Sequence, residues 1–551
     1  MPAASVAAPR GPPAAPPRSL AGGRAAAGAS RRPPARDCAA GSSKGRKRGS
    51  GTSFGFSGGE LVVERRGGGG GAGGGGNPGR ATPPAPRRGG RGSRRARTAP
   101  DPRPDPGWRD TELGCEHYGR CSGCTLSEGL GTPETVRRAA EHFAAMGVPF
   151  EAEHGEGRGW RARARLAVRA GPGGAADVGL FRRGSHEVLP VPACAAHHPR
   201  INAAAEGVRE SLAATGCRGY DEGTGEGDLR YLQLTAAAWA AVRPPGGAPA
   251  GGTWETAAPG PGVEARPWAA APGDCSVEVV LVMNGRPGSP GDRARAEALA
   301  RDVWARLGPS GAGAGGGAPV ACSVWVNWQP GRTNTILGPD WTHLHGADLT
   351  VADLGGDGPV FFHPGAFMQA NPAMAARAVA AMRAEAAGAR EVLDLYAGVG
   401  ALGLSVAPPG AGLTCVEVTP AALAPFARSA ARRPGRSAMR VASASERPEE
   451  WVAGGWDVAI VDPPRRGLGD AALAALCRAA PPAPGAPPRR LLYLSCGFPA
   501  LQRDLAALAG GGWAVERARG FVFFPGADHL ETLVVLRRGG AGPGPGAAAG
   551  G

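Results

Sequence analysis

REVLDLYAGVGALGL (390–404), followed by LTCVEVT (413–419), decides the fold of this 551-residue chain. A short apolar run ends at Asp394, a turn containing Gly398 and Gly400 follows, and an Ala/Leu stretch with helical spacing comes next. A second apolar run then ends at Glu417. The unit repeats downstream in MRVASA (439–444), WDVAIVDPP (456–464) and LLYLSC (491–496), with a closing pair near 513–523 and 531–538. Strands alternating with Ala-rich helical stretches predict an α/β domain with a doubly wound, mostly parallel sheet. Ligands of such sheets bind beyond the carboxyl ends of the strands, where Asp394, Glu417, Asp462 and Cys496 all fall.

The turn at 396–400 is not a strict GxGxxG, and a glycine-containing turn by itself is weak information in a chain with 93 Gly. Glu417, about twenty residues on, strengthens it, because an acid at the end of the next strand can accept both hydroxyls of a ribose. Either NAD or S-adenosylmethionine suits that arrangement. The missing pyrophosphate fingerprint and the downstream DPP favour the sulfonium.

Working towards the N-terminus, Asn371-Pro372 offers an N-cap and a first-turn proline for a helix running to about residue 388. Before it, WRARARLAVR (160–169) alternates strictly. Trp160, Ala162, Ala164, Leu166 and Val168 share one strand face, and Arg161, Arg163, Arg165 and Arg169 share the other, which is a candidate phosphate-contacting surface. LRYLQLTA (229–236) and VEVVLVMN (277–284) read as further strands. VWVNWQ-PG-RTNTILG (324–338) reads as a hairpin turning at Pro330-Gly331. Residues 109–350 are thus expected to form an α+β central domain with Gly/Pro-rich insertions, and 351–538 the doubly wound domain.

Of 11 cysteines, Cys115, Cys121 and Cys124 cluster in CEHYGRCSGC and Cys194 closes VPAC; the others are scattered. This is no disulfide framework. Four thiolates at these spacings could hold an iron–sulfur cluster or a structural zinc ion.

Charge is distributed unevenly. The chain carries 62 Lys+Arg and 47 Asp+Glu; the first hundred residues hold 19 and 3 of these, leaving 43 and 44 for the rest. The net charge of +15 therefore belongs to the leader and says little about the body. Residues 1–108, rich in Arg, Ala, Gly and Pro, are expected to be disordered, as is the tail 539–551. An acid-poor, Arg-rich, Ser-containing leader suits a transit peptide to the chloroplast, with the mitochondrion as the alternative. No run approaches the roughly 18 apolar residues of a membrane span.

The three remaining segments carry the chemistry: VDPPRRGL (461–468), LLYLSCGFPALQRDL (491–505) and FVFFPGADHLETLVVL (521–536). With FMQAN (367–371), DLYAGVG, VEV and the four cysteines, they resemble, in order, the RNA (uracil-5-)-methyltransferase family. The plant-type chloroplast branch is the most similar, from CSGCTL, HHPRINAA and DHLETL. The resemblance implies a class I methyltransferase domain that uses S-adenosylmethionine, Cys496 as nucleophile and Glu531 as proton acceptor. It also implies cofactor contacts from Gln369, Tyr396, Glu417 and Asp462, and a 4Fe–4S cluster on Cys115, Cys121, Cys124 and Cys194, with zinc as the alternative occupant. Arg465 would order its loop or hold phosphate, and His529 would line the base pocket.

The chemistry accounts for those residue types. C5 of uracil is a poor nucleophile until a group adds at C6, and a thiolate is suited to that addition. The expected partner is RNA, ribosomal rather than transfer, presenting a uridine that can leave its stack, to a monomeric enzyme. Two positions depart from the family: Gly497 and Ala401 stand where many members carry Asn.

Overall fold

The computed structural model describes residues 61–64, 111–171, 175–237, 275–309, 320–482 and 488–538. The expected leader and tail lie outside these, apart from four residues.

The first half contains β1 (Leu61–Glu64), α1 (Glu134–Ala145), β2 (Phe150–Glu153), β3 (Arg163–Ala170), β4 (Ala176–Phe181) and β5 (Val188–Pro190). Next come α2 (Pro199–Thr215), β6 (Leu229–Ala237), β7 (Ser276–Met283), α3 (Pro290–Leu307), β8 (Ala321–Trp328) and β9 (Asp340–Gly346). Strands β3 to β9 form a seven-stranded sheet in the order β5-β4-β3-β6-β7-β8-β9. Leu166, Leu232, Leu281 and Val326 pack from one face of it against Ile201 and Val208 of α2 and Leu299 and Val303 of α3. Both helices start on side-chain caps: His198 accepts from Arg200 N, and Ser289 from Asp292 N.

The second half contains β10 (Thr350–Ala352), β11 (Val360–Phe362), α4 (Pro372–Ala386), β12 (Glu391–Leu395), α5 (Ala401–Val406), β13 (Gly412–Glu417), α6 (Leu423–Ala430) and β14 (Ser437–Val441). It closes with α7 (Glu449–Val452), β15 (Val458–Val461), α8 (Asp470–Arg478), β16 (Arg489–Ser495), α9 (Phe498–Gly510), β17 (Ala514–Phe521) and β18 (Glu531–Arg538). Its sheet runs β1-β14-β13-β12-β15-β16-β18-β17-β2. All pairings are parallel except those of β18, which runs antiparallel between β16 and β17. Apolar clusters cover both faces, one around α4 and α6, the other around α1, α8 and α9. This is the doubly wound sheet the β-α repeat predicts. Asn371 caps α4 as expected, its side chain accepting from Met374 N at 3.1 Å.

Three boundaries differ from the sequence reading. Helix α1 and β2 fall within 109–350 by sequence, yet Phe143 packs in the second domain's core and β2 extends that domain's sheet beside β17. The return strand of the hairpin is Asp340–Gly346, not RTNTILG. Residues 332–338 instead make an irregular loop held by Asn327, whose side chain bonds Gly338 at both its O and N. In the leader, β1 pairs in parallel with β14; four apolar-to-acidic residues among glycines are too short to read as a strand.

Candidate active site

Sheet direction brings the key groups together. β15 and β16 end at Val461 and Ser495, so Asp462 and Cys496 emerge at the carboxyl edge. Because β18 runs the other way, its first residue begins at that same edge, and Thr532 stands opposite Ser495 in the ladder. Cys496 is half-buried, and Glu531 is only 3% exposed, with Oε2 lacking a hydrogen-bond partner.

Burial sets the electrostatics of this trio. It pushes the Cys496 thiol up to about 11, with the charges of Glu531 and Asp462 adding and Arg465 opposing. Burial likewise lifts Asp462 to about 7, and holds Glu531 well above the ordinary carboxylate range, with Asp462 adding and Arg465 opposing. Like charges so close resist joint ionisation, so the edge retains protons at neutral pH. A carboxyl with raised proton affinity is a competent acceptor once it is ionised.

The loop carrying Asp462 is held by a residue the sequence reading quoted but did not assign. Asp504, fully buried on α9, accepts from Leu468 N at 2.8 Å and from Tyr493 Oη at 2.7 Å. Arg503 donates to the Arg466 carbonyl at 2.8 Å. The RDL string was visible, but only the fold shows what it grips. The His529 ring stands edge-on to Phe524, with centroids 4.8 Å apart, and its buried Nδ1 has no hydrogen-bond partner. Burial first, then Arg465, lowers the His529 imidazole to about 4, so the ring is neutral.

The cofactor residues lie along the same edge. Gly398 and Gly400 have φ of 55° and 78°, in the region only glycine enters freely. A Cβ at Gly398 would meet nothing within 4 Å, so the space above this turn is open. Glu417 accepts from Gly398 N at 3.0 Å and Thr419 N at 2.8 Å. Asp394 accepts from Gly403 N at 2.9 Å, leaving Oδ1 without a partner, and burial pushes it up to about 8 with help from Asp462 and Glu417. Tyr396 holds a φ of 63°, unusual for a side chain of its size, and its hydroxyl accepts from Gly469 N at 3.2 Å. It therefore ties the glycine turn to the Asp462 loop. An open cradle over glycine with a carboxylate at the next strand end fits the nucleoside of S-adenosylmethionine.

Gln369 lies on the wall of a cavity of about 530 Å3. Cys115, Cys121, Cys124 and Cys194 all line this cavity, as do Arg465 and His529. The cysteine loop is joined to the catalytic side directly, since Thr125 N and Leu126 N both donate to the Gly526 carbonyl, at 2.6 and 3.0 Å. Among the described residues no three His, Cys, Asp or Glu side chains converge on a single-ion position. Four cysteine thiols are a donor set that either a four-iron cluster or a zinc ion takes.

The arginine face of β3 needs correction. Arg163 donates to the carbonyls of Ala366, at 2.6 Å, and Pro364. Arg169 is buried against Tyr220 and Tyr231 and bonds the Arg230 carbonyl at 2.8 Å. Arg161 is half-buried beside Trp160 on the cavity wall. Arg165 alone of the four stays exposed, bonded to Gln233 at 2.8 Å. Alternation identified the two faces but could not reveal that distant loops cover the second.

No family model matches the chain. An RNA methyltransferase of Protochlamydia amoebophila, itself named as uncharacterized, is 28% identical over 428 residues, 77% of this chain and 98% of the relative. The 23S rRNA (uracil(1939)-C(5))-methyltransferase RlmD of Chromohalobacter salexigens is 30% identical over 444 residues, 77% of this chain and 76% of the relative. Among solved structures, Pyrococcus abyssi tRNA (uracil-54, C5)-methyltransferase in complex with S-adenosyl-L-homocysteine matches with a TM-score of 0.55. At 20% identity over 76% of this chain and 86% of that one, it speaks to the fold. Strand order, the glycine turn and the acids at the sheet edge define a class I, S-adenosylmethionine-dependent methyltransferase. Within that class, the chain belongs to the RNA uracil-C5-methyltransferase family. Among the described residues no helix is long and apolar enough to cross a membrane.

Proposed function

We propose that this enzyme methylates C5 of a uridine in RNA, ribosomal RNA rather than transfer RNA, through a covalent adduct between Cys496 and C6 of the base. The observation that carries this reading is the meeting of Cys496 with Asp462 and Glu531 at one sheet edge. Cys496 gives up its proton to solvent and its sulfur bonds to C6, which moves the electron pair of the C5–C6 double bond towards C5. Glu417, Tyr396, Asp462 and Gln369 would hold S-adenosylmethionine, which would supply the methyl group that C5 takes, its sulfonium becoming a neutral thioether. Glu531 then accepts the C5 proton, the double bond re-forms, and the C6–sulfur bond breaks to release Cys496. The name of the 30% identical relative supports a ribosomal target.

The cysteine-lined cavity supports a 4Fe–4S cluster on Cys115, Cys121, Cys124 and Cys194, where it would organise the wall next to the Gly526 loop. The Arg-rich, acid-poor leader supports delivery to the chloroplast, where the enzyme acts as a monomer.

The test is incubation of the full chain with S-adenosylmethionine and 5-fluorouridine-substituted organellar ribosomal RNA. Fluorine at C5 cannot leave as a proton, so the reaction stalls as a denaturation-resistant protein–RNA adduct. Adduct with the parent and none with Cys496→Ala is the expected result. No adduct from protein that binds the cofactor would exclude the C5 mechanism.

A further inference from the structure

The face of the seven-stranded sheet opposite α2 and α3, partly covered by residues 363–366, carries a row of aromatic rings that the methyl-transfer chemistry does not use. Arg165, Gln233, Val280, Trp325 and His343 stand in one cross-strand row from β3 to β9. Trp341 stands in the adjacent row, opposite Asn327. Side chains in these rows point away from α2 and α3, which pack on the other face. Trp325 lies at the base, with ring centroids 4.8 Å from His343, 6.4 Å from Trp341 and 5.2 Å from His363.

Three observations give this face a ligand. Trp325 is 8% exposed, yet its indole N–H has no hydrogen-bond partner. Around it Trp341 and His363 are only half-buried and His343 is exposed, so ring surface remains available. The row ends at Arg165, which lines the large cavity together with Arg465 and His529. Between Arg165 and Trp325 the row runs through Gln233 and Val280, both fully buried, with the Gln233 amide donating to the Pro364 carbonyl at 2.9 Å, so Arg165 and the rings of β9 are the two accessible ends of one row.

We propose that this face is a stacking platform for single-stranded RNA flanking the target uridine. Bases lie against Trp341 and His343, and Arg165 meets the backbone phosphate where the strand turns into the cavity. The proposal rests on the RNA reading above. Stacking on rings is tolerant of sequence, because every base presents a π-face, and a guanidinium at the end of the row supplies the complementary charge. A flipped base needs its neighbours held out of the helix, and a ring platform beside the entrance does that.

The test measures binding of a fluorescein-labelled oligouridylate to the full chain and to Trp341→Ala, His343→Ala, Arg165→Gln and Trp341→Phe. Trp341→Ala is expected to weaken binding about tenfold, and Trp341→Phe to restore most of it, with S-adenosylmethionine affinity unchanged. Arg165→Gln should flatten the salt dependence. Unaltered affinity in Trp341→Ala and His343→Ala, with the parent binding well, would overturn the platform and leave the RNA reading standing. A parent that binds neither oligouridylate nor ribosomal RNA would overturn both. Equal competition by duplex RNA would remove the single-strand assignment. A dimer in the parent that dissociates in Trp341→Ala would give the face to a second copy of the chain instead. Should Trp341→Ala fail to fold, His343→Ala and Trp341→Phe decide.

Discussion

Gly497 lies directly against the backbone of Arg465: a Cβ at position 497 would stand 3.0 Å from the Arg465 carbonyl carbon and closer still to its oxygen. The residue after the nucleophile is thus small because the Asp462 loop occupies the space a side chain would need. This accounts for one departure from the family pattern. Gly497→Ala, and more so Gly497→Asn, would push the loop off the strand end and carry Asp462 with it. A displacement of about 1 Å at a reacting centre costs on the order of 100-fold in rate. Turnover of Gly497→Ala should fall by that order, and S-adenosylmethionine affinity should fall with it as Asp462 moves; a fully active variant would show that the loop yields freely.

The charges around Cys496 have a sign that alkylation kinetics can read. Burial, Glu531 and Asp462 all favour the thiol over the thiolate, and Arg465 opposes them. The rate of iodoacetamide labelling at Cys496 should therefore climb through a midpoint well above the ordinary 8.5 of a free cysteine, near 11. Glu531→Gln removes a negative charge, so the midpoint should fall and labelling at pH 8 should accelerate. Arg465→Ala removes a positive charge and should do the reverse. Identical profiles for all three proteins would mean that these groups do not share one site.

How much of this was legible in the sequence depends on the range of the interaction involved. Asp394, Glu417, Asp462 and Cys496 could be placed at strand ends because β-α periodicity is local, and strand ends follow from it. Asn371 could be read as a cap for the same reason. The arginines of β3 could not, since Pro364, Ala366 and Gln233, which occupy Arg163 and Arg165, lie some 70 to 200 residues away in the chain. Helix α1 and β2 were assigned to the wrong domain because nothing in Glu134–Glu153 records the partner strand, Ala514–Phe521. The acidic strip is legible only as separate acids. Its strong proton affinity comes first from burial, and antiparallel β18 is what brings Glu531 back to Cys496.

Asp504 offers a test of that long-range scaffold. It is fully buried and holds three groups at once: Leu468 N, Tyr493 Oη and the guanidinium of Arg503. Removing a buried charge that satisfies several donors leaves all of them unpaired, at a cost of about 3 kcal/mol. Asp504→Ala should lower the thermal midpoint by several degrees and reduce turnover as the Asp462 loop loosens. Asp504→Asn keeps one acceptor oxygen and should recover part of both. An unchanged midpoint in Asp504→Ala would show that the loop is held by its prolines alone.

The cysteine cavity makes the last prediction, and its readout is independent of methyl transfer. Cys115, Cys121, Cys124 and Cys194 line one space but do not close on a single-ion position. In the absence of metal, burial and the neighbouring thiols favour the protonated form of Cys124, and a Lewis acid bound to its sulfur would favour the thiolate. Anaerobic reconstitution with iron and sulfide should yield about four irons per chain and the charge-transfer absorption of a four-iron cluster. Cys124→Ser and Cys194→Ser should each lose it. The Gly526 carbonyl takes two hydrogen bonds from the residues following Cys124, so chelation should also raise hydrogen exchange at Thr125 and Leu126. One tightly held zinc per chain and no iron would assign the cavity to a structural ion instead.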